Sequence, residues 1–235
     1  MKPGFAVRWL RRLESRALIA LAAWAAAVWA FLAVGGEVRE GGTLALDRRI
    51  LLALRVPGDP AEPLGSRSFQ EAMRDVTALG GFTVLTLVTV VAAVAFLLHR
   101  KLRHALVLVA TVLVAQVASE SLKGLYGRPR PDLAPHAVYV YSASFPSGHS
   151  LHSAAVYLTL AMLISSLEPR RATKILVFAT AILVMAAVGV SRVYLAVHWP
   201  SDVLAGWCAG AACALAAWAV LLRLGGGRVP DRTAG

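Results

Sequence analysis

A histidine and an aspartate lie four residues apart in a polar stretch between two long apolar runs, at His198 and Asp202. Such residues are costly in hydrocarbon, so their presence here requires a reason. A carboxylate can hold a histidine in one tautomer, which makes the other ring nitrogen a nucleophile. Arg192, six residues before the histidine, carries a planar guanidinium that suits a phosphate. The stretch is either a nucleophilic site for phosphorus chemistry or an ordinary polar loop at a membrane edge.

Two further polar clusters lie at the ends of apolar runs, at residues 123–131 and 145–149. With the first stretch they supply three cations, a hydroxyl and the backbone N–H groups of a helix N-terminus, where the helix dipole favours an anion. Each cluster also has an ordinary explanation, as a membrane anchor, a basic loop or a capped helix start. If the clusters share one membrane depth, they form a receptor for an oxyanion: Lys123, Arg130, Ser147, Gly148 and Arg192.

The histidines supply the remaining parts of a phosphoryl-transfer site. His198 would attack phosphorus, and Asp202 would fix its tautomer and stabilise the imidazolium that develops. His149 would donate a proton to the departing oxygen. Because the cations can stabilise the charge on the equatorial oxygens, and no His, Cys or carboxylate set has metal-ligand spacing, we predict a reaction without metal or cofactor.

The composition places this chemistry in a membrane. Of the 235 residues, 58% are hydrophobic and 16% are charged, and the mean hydropathy is +0.65, whereas soluble domains are nearer a quarter charged. Cys208 and Cys213 lie inside one apolar run and are interpreted as buried apolar residues, not a disulfide or a metal site. We therefore predict an all-α, polytopic membrane protein made of one domain over residues 1–235.

Six apolar runs approach the length that crosses about 30 Å of hydrocarbon. They cover roughly residues 17–34, 82–98, 105–122, 149–167, 175–190 and 203–222. The first run could also be a signal peptide, but its length and its exit without a small-x-small site favour a retained span. We expect the catalytic core over residues 81–222 and a disordered tail over 225–235.

The longest polar interval, residues 37–80, separates the first two runs. A helical rhythm ends near Pro57, and Ser66 is placed to cap a second helix from about Phe69 to Leu79. We expect two amphipathic interfacial helices, which either lie over the mouth of a site or form an ordinary connector.

The orientation follows from the positions of lysine and arginine. With six spans, the side with both termini carries 14 Lys/Arg and 3 Asp/Glu, whereas the other side carries 10 of each. The whole net charge of +11 therefore lies on one face. We assign that face to the cytoplasm of a bacterial inner or plasma membrane, and all three polar clusters to the extracytoplasmic face. Basic segments beside a membrane explain the charge without nucleic acid.

The three clusters together resemble the type 2 phosphatidic acid phosphatase superfamily, which also includes the vanadium haloperoxidases. The family's motifs are Lys-x6-Arg-Pro, Pro-Ser-Gly-His and Ser-Arg-x5-His-x3-Asp. All three occur without departure, within residues 123–202. The resemblance implies a phosphohistidine on His198, His149 as the acid, and phosphate binding by the receptor residues named above. It also implies metal-independent removal of phosphate from lipid phosphates or diphosphates.

Several points stay open at this level. Candidate substrates are phosphatidic acid, phosphatidylglycerol phosphate and undecaprenyl diphosphate. A lipid-to-lipid phosphotransferase would use the same site, and a non-catalytic lipid-binding or transport protein is the alternative outside enzymes. The partners we expect are the substrate and membrane lipids. Roles are undecided for five residues or ranges that either assist or serve locally: Glu120, Arg128, His152, and His136 with Tyr139–Tyr141 as headgroup contacts.

Overall fold

A computed structural model describes residues 4–133 and 142–225, with side chains for 17–133 and 142–223. His136 and Tyr139–Tyr141 lie outside the described residues. So does the predicted tail, apart from Gly225, which closes the last helix.

Eight helices and one small hairpin make up the described chain. In order they are α1 (Gly4–Glu40), α2 (Leu44–Leu52), β1 (Arg55–Val56), β2 (Asp59–Pro63), α3 (Arg67–Ala78), α4 (Phe82–Leu98), α5 (Leu102–Tyr126), α6 (Gly148–Leu167), α7 (Arg171–Tyr194) and α8 (Pro200–Gly225). The predicted all-α class is confirmed, with an antiparallel two-stranded hairpin as an addition.

The spans agree with the predicted bundle but are longer. Five helices, α1, α5, α6, α7 and α8, are each long and apolar enough to cross a membrane. The 17-residue α4 joins α3 across a 48° bend, and counting this pair as one span gives six. The predicted ends fell short because polar residues such as Lys123 and Arg192 lie inside the last helical turns. Intrahelical hydrogen bonding carries the helix past the apolar run.

The bundle is built around α6, which packs against α5, α7 and α8, while α1 packs along α8. Gly206 and Gly210, two small residues four positions apart on α8, lie at the α6–α8 contact. A Cβ at Gly206 would be 2.7 Å from the carbonyl oxygen of Ser147, and one at Gly210 would be 2.7 Å from Cβ of Ala154. The glycines therefore bring α8 against the start of α6.

The segment between the first two spans covers one end of the bundle. Ser66 caps α3 as predicted, with its Oγ accepting from the Phe69 N–H. The preceding helix, α2, ends earlier than predicted, and the proline-containing stretch pairs as the hairpin. Arg55 of β1 donates to the carbonyl of Tyr194 over 2.6 Å. The segment therefore packs on the turn that follows α7.

Candidate active site

The three motif clusters meet at one end of the bundle. Lys123 lies in the last turn of α5 and Arg192 in the last turn of α7, whereas His149 and Asp202 lie in the first turns of α6 and α8. Consecutive antiparallel helices bring the ends of α5 and α7 beside the starts of α6 and α8. Residues almost 80 positions apart in sequence thus share one site, which is what the oxyanion-receptor hypothesis requires.

His198 lies in the turn between α7 and α8 and is only 2% exposed. Its Nε2 lies 3.2 Å from Nη1 of Arg130. A guanidinium can only donate, so Nε2 is the unprotonated acceptor nitrogen. Burial lowers the pKa of His198 to about 4, and Arg192 and Arg130 lower it further, against the opposing effect of Asp202. The imidazole is therefore neutral at pH 7, with its unprotonated Nε2 facing the cations.

Asp202, fully buried, lies on the other side of the imidazole. Its Oδ2 is 3.6 Å from Nδ1 of His198. Ser144 bridges the two groups, because its Oγ lies 3.3 Å from that Nδ1 and donates to Oδ2 over 2.5 Å. The Trp199 N–H also donates to Oδ2 over 2.9 Å. The carboxylate is thus held in place to accept from the Nδ1 side of the ring, directly or through the serine.

Arg130 is held by acceptors on two segments. Its Nη1 donates to the carbonyl of Val197 over 2.6 Å, and its Nε donates to the carbonyl of Ser142 over 2.9 Å. The side chain therefore spans from the loop before α6 to the turn that carries His198. A phosphate bound at Nε2 of His198 would therefore lie beside this guanidinium.

Arg192 is a buried cation, 4% exposed, with an unused donor. Its Nη1 donates to Oγ1 of Thr77 on α3 over 3.0 Å. Its Nε is buried and has no hydrogen-bond partner within the described ranges. A buried cation without a counter-charge is costly unless an anion joins it. The arrangement therefore suits an oxyanion that binds beside His198.

Lys123 lies beside the N-terminus of α6. Its Nζ is 3.4 Å from Oε1 of Glu120, one turn earlier, so Glu120, whose role was open, pairs with this lysine. A Cβ built at Gly148 would lie 3.3 Å from Nζ of Lys123 and 3.5 Å from Oγ of Ser119. Gly148 therefore leaves the space in which an anion reaches both the lysine and the first N–H groups of α6.

The Ser147 contribution differs from the prediction in one respect. Its N–H donates to the carbonyl of Asp202 over 3.0 Å, so this group is not free for a phosphate. The buried hydroxyl accepts from Ser150 over 3.0 Å. The serine thus joins α6 to α8, and the helix N–H groups left for an anion begin at Gly148.

His149 lies within electrostatic range of the cationic cluster. The imidazole interacts electrostatically with Arg192, His198 and Lys123. The turn between α3 and α4 lies against it, since a Cβ at Gly80 would be 3.2 Å from the carbonyl oxygen of His149. His149 therefore belongs to the same cluster of side chains as His198. Nearby, His152 is half-buried, and its Nε2 has no partner in the described part of the chain.

Arg128, whose role was open, points away from the phosphate receptor. Its Nη1 donates to Oδ1 of Asp202 over 2.6 Å, and its Nη2 donates to Oδ2 of Asp47 over 2.8 Å. The residue therefore links the carboxylate behind His198 to the interfacial helix α2. Its hydrogen bonds within the described chain do not place it among the residues proposed to bind the phosphate.

Sequence reasoning missed the supporting residues Asp47, Thr77, Ser144 and Ser201. Asp47 and Thr77 lie on the two interfacial helices, where polar side chains are expected to face water. What marks them as functional is that they are buried: Asp47 is 2% exposed and Thr77 is 7% exposed. Burial depends on how the helices pack on the bundle, which the sequence does not show. Residues 37–80 are therefore more than a connector, because they contact both Arg128 and Arg192.

Comparison with known proteins points to one family. The chain is 36% identical to phosphatidylglycerophosphatase B of Bacillus subtilis over 141 residues, which cover 60% of this chain and 69% of that protein. It is 34% identical to lipid A 1-phosphatase of Rhizobium johnstonii over 124 residues, 49% of this chain and 47% of that protein.

Solved structures show the same architecture. The PAP2-type phosphatidylglycerolphosphate phosphatase of Bacillus subtilis superposes with a TM-score of 0.75 at 26% identity, over 89% of this chain and 98% of that one. LpxE of Aquifex aeolicus superposes with a TM-score of 0.53 at 23% identity, over 74% and 93%, and supports the fold. The model of the PAP2 superfamily matches residues 104–225, which contain all three motifs. The chain belongs to the PAP2 superfamily.

Proposed function

We propose that this protein hydrolyses a lipid phosphate through a phosphohistidine on His198. The observation that carries the proposal is a buried imidazole whose Nε2 lies 3.2 Å from Nη1 of Arg130, within electrostatic range of the under-coordinated cation Arg192. A nucleophile next to unsatisfied positive charge suits an electrophile that carries negative charge, such as a phosphoryl group. Membership of a family whose relatives are named lipid phosphatases supports the same reaction.

The first step forms a bond from Nε2 of His198 to phosphorus and breaks the bond from phosphorus to the lipid oxygen. Arg130, Arg192 and Lys123 neutralise charge on the equatorial oxygens, and His149 gives its proton to the leaving oxygen. Arg130 moves from Nε2 to the phosphate as the substrate enters, because the attacking lone pair must be free. The Nδ1–H of the resulting imidazolium is held by Ser144 and Asp202.

The second step hydrolyses the phosphoenzyme. His149, now neutral, takes a proton from a water molecule that attacks phosphorus. The bond from phosphorus to Nε2 breaks, inorganic phosphate forms, and His198 returns to its neutral state. The same histidine thus acts as acid and then as base, and the cations stay in place for both transition states. This sequence needs neither metal nor cofactor.

We place phosphatidylglycerol phosphate first among the candidate substrates. The named activity of the relative that shares 36% identity supports this choice. Its terminal phosphate is a monoester on a lipid, as is the phosphate of phosphatidic acid. Both therefore suit a phosphate receptor that lies at the end of a membrane bundle. Undecaprenyl diphosphate remains in the candidate set, because the cation cluster would also accept a diphosphate.

We place the site on the extracytoplasmic face, with both termini in the cytoplasm. The charge distribution supports this orientation, since the net positive charge lies at the end of the bundle opposite the phosphate receptor. Single cysteines at the exposed positions Lys101 and Asp132, in a background without Cys208 and Cys213, test it. We expect a membrane-impermeant thiol reagent added to intact cells to label position 132 and not 101. The reverse pattern would invert the orientation.

The activity is tested by release of inorganic phosphate from purified protein in detergent micelles. The substrate panel contains phosphatidylglycerol phosphate, phosphatidic acid and undecaprenyl diphosphate, each as the single lipid present. Release with one lipid identifies a hydrolase, since a phosphotransferase needs a second lipid as acceptor. The matched variants are His198→Ala and His104→Ala, the latter at the opposite end of the bundle on α5. We expect the first to abolish release and the second to retain it; equal activity of both would refute the assignment.

A further inference from the structure

Arg128 lies between two buried carboxylates that come from different parts of the chain. Asp47 of α2 is 2% exposed and Asp202 of α8 is fully buried. Arg128 forms an ion pair with each, at 2.8 Å to Oδ2 of Asp47 and 2.6 Å to Oδ1 of Asp202. Short charge-assisted bonds of this kind fix the geometry of both partners.

Both terminal nitrogens of Arg128 are fully used by protein acceptors. Besides the carboxylates, Nη1 donates to Oγ of Ser201 over 2.8 Å, and Nη2 lies 3.4 Å from Oγ1 of Thr43. The guanidinium therefore binds Asp202, Ser201 and residues at α2, and has no donor on its terminal nitrogens left for substrate. Any effect of Arg128 on the reaction must be transmitted through Asp202.

Asp47 is itself held at the N-terminus of α8. Its Oδ1 accepts from the Ser201 N–H over 2.9 Å, and its Oδ2 accepts from Oγ of Ser201 over 2.6 Å. A carboxylate at this position satisfies a first-turn N–H and meets the positive end of the helix dipole. Asp47 therefore fixes both Arg128 and the helix turn that carries Asp202.

The three side chains also set the net charge behind His198. Arg128 on its own would cancel the negative charge that stabilises the imidazolium of the phosphoenzyme. Asp47 offsets this effect, so the group of Asp47, Arg128 and Asp202 keeps one net negative charge. Ser144 and the Trp199 N–H complete the hydrogen bonding of Asp202. Geometry and charge thus both depend on Asp47 and Arg128, two residues that the family motifs do not specify.

We propose that Arg128 and Asp47 are positioning residues that hold Asp202 and keep the charge behind His198 at minus one. This inference rests on the proposed phosphohistidine chemistry. It assigns the interfacial helix α2 a part in catalysis, since Asp47 reaches the reacting histidine through Arg128 and Asp202.

Charge-selective substitutions separate this role from simple packing. Asp47→Asn leaves Arg128 paired with one carboxylate, so the net charge behind His198 becomes zero. We expect kcat to fall roughly 10- to 100-fold, by analogy with the hydrogen-bonded groups that orient metal-ligating histidines, with KM little changed. Arg128→Gln instead leaves two buried carboxylates without the cation between them, and like charges favour uptake of a proton.

The two substitutions therefore differ in their pH profiles. Within the described residues, the titratable or charged groups that face Asp202 are Arg128 and His198. Asp47 lies beyond Arg128, and Arg130 interacts electrostatically with Asp202. In Arg128→Gln, we expect the acid limb of kcat to move to higher pH by about one unit or more, because a protonated Asp202 no longer stabilises the imidazolium. Asp47→Asn should not move it. The double variant removes the competing carboxylate and should move the limb back toward wild type.

The experiment measures kcat, KM and the pH profile from phosphate release with dioctanoyl phosphatidic acid in micelles. Arg49→Gln, an exposed arginine on the same interfacial helix, is the control. Arg128→Lys keeps the charge, should keep the acid limb near wild type, and carries the test if Arg128→Gln does not fold. Equal profiles for wild type and Arg128→Gln, or a loss of kcat and stability without any pH shift, would overturn the inference. Inactive wild type with every lipid tested would instead count against the proposed function.

Discussion

Substitution of Arg192 should lower turnover strongly while changing the free energy of unfolding little. The side chain is 4% exposed, its Nε has no partner within the described residues, and its Nη1 donates to a neutral hydroxyl on Thr77. Burying a charge without a counter-charge costs several kcal/mol. The substitution Arg192→Met keeps much of the volume and removes the charge. It should therefore not reduce the free energy of unfolding without substrate, apart from about 1 kcal/mol for the lost hydrogen bond.

Turnover should respond in the opposite way. Removing one preorganised donor to a developing oxyanion costs about 3–4 kcal/mol in the transition state, which is roughly 100- to 1,000-fold in kcat. Inorganic phosphate should also stabilise wild type against thermal unfolding, by about 2.7 kcal/mol at a concentration 100 times its Kd. This stabilisation should largely disappear in the variant.

The assays are phosphate release and thermal unfolding with and without inorganic phosphate. Arg171→Met is the matched control, since it removes an arginine from the other end of the same helix. We expect the control to keep turnover and the phosphate-dependent rise in Tm. The reasoning is refuted if Arg192→Met keeps turnover within about tenfold of wild type, or if phosphate still stabilises it as strongly as wild type.

Three further predictions follow from the geometry. Because burial lowers the pKa of His198 to about 4, an NMR titration of labelled histidines should show this ring neutral down to pH values well below the ordinary pKa of about 6.5; protonation near that ordinary value would contradict the assignment. Gly206→Ala should lower Tm, because its Cβ would be 2.7 Å from the carbonyl oxygen of Ser147, at a cost of about 1–3 kcal/mol. Gly124→Ala, with nothing within 4 Å of its Cβ, should leave Tm unchanged or raise it; similar losses in both would refute the packing argument. Turnover should persist in a chelator, and loss that only added metal restores would contradict the metal-independent mechanism.

The architecture and the motif residues were largely predictable from sequence. Hydropathy identifies the spans because hydrocarbon demands long apolar helices, and alternation of helix direction then brings Lys123, His149, Arg192 and Asp202 to one end. The PAP2 superfamily, suggested by the spacing of these residues, is confirmed. The hairpin at residues 55–63 was missed because its prolines indicated a helix break and carried no signal for strand pairing.

The supporting residues could not be predicted in the same way. Asp47 on an amphipathic helix has the appearance of a solvated charge, yet tertiary packing buries it against Arg128 and Ser201. Ser144 lies outside the motifs, and its place between His198 and Asp202 depends on the path of the loop before α6. Arg128 and Arg130 are two residues apart in the same basic loop. The first binds carboxylates and the second faces His198, and spacing does not distinguish these roles.

The most direct test of the central claim is capture of the phosphoenzyme. Purified protein is mixed with a lipid substrate labelled in the phosphate, quenched in base within one turnover, and digested for mass spectrometry. We predict a base-stable, acid-labile phosphoramidate on the peptide that contains His198, which is absent from His198→Ala. Label on a different residue, or full turnover by His198→Ala, would contradict the account.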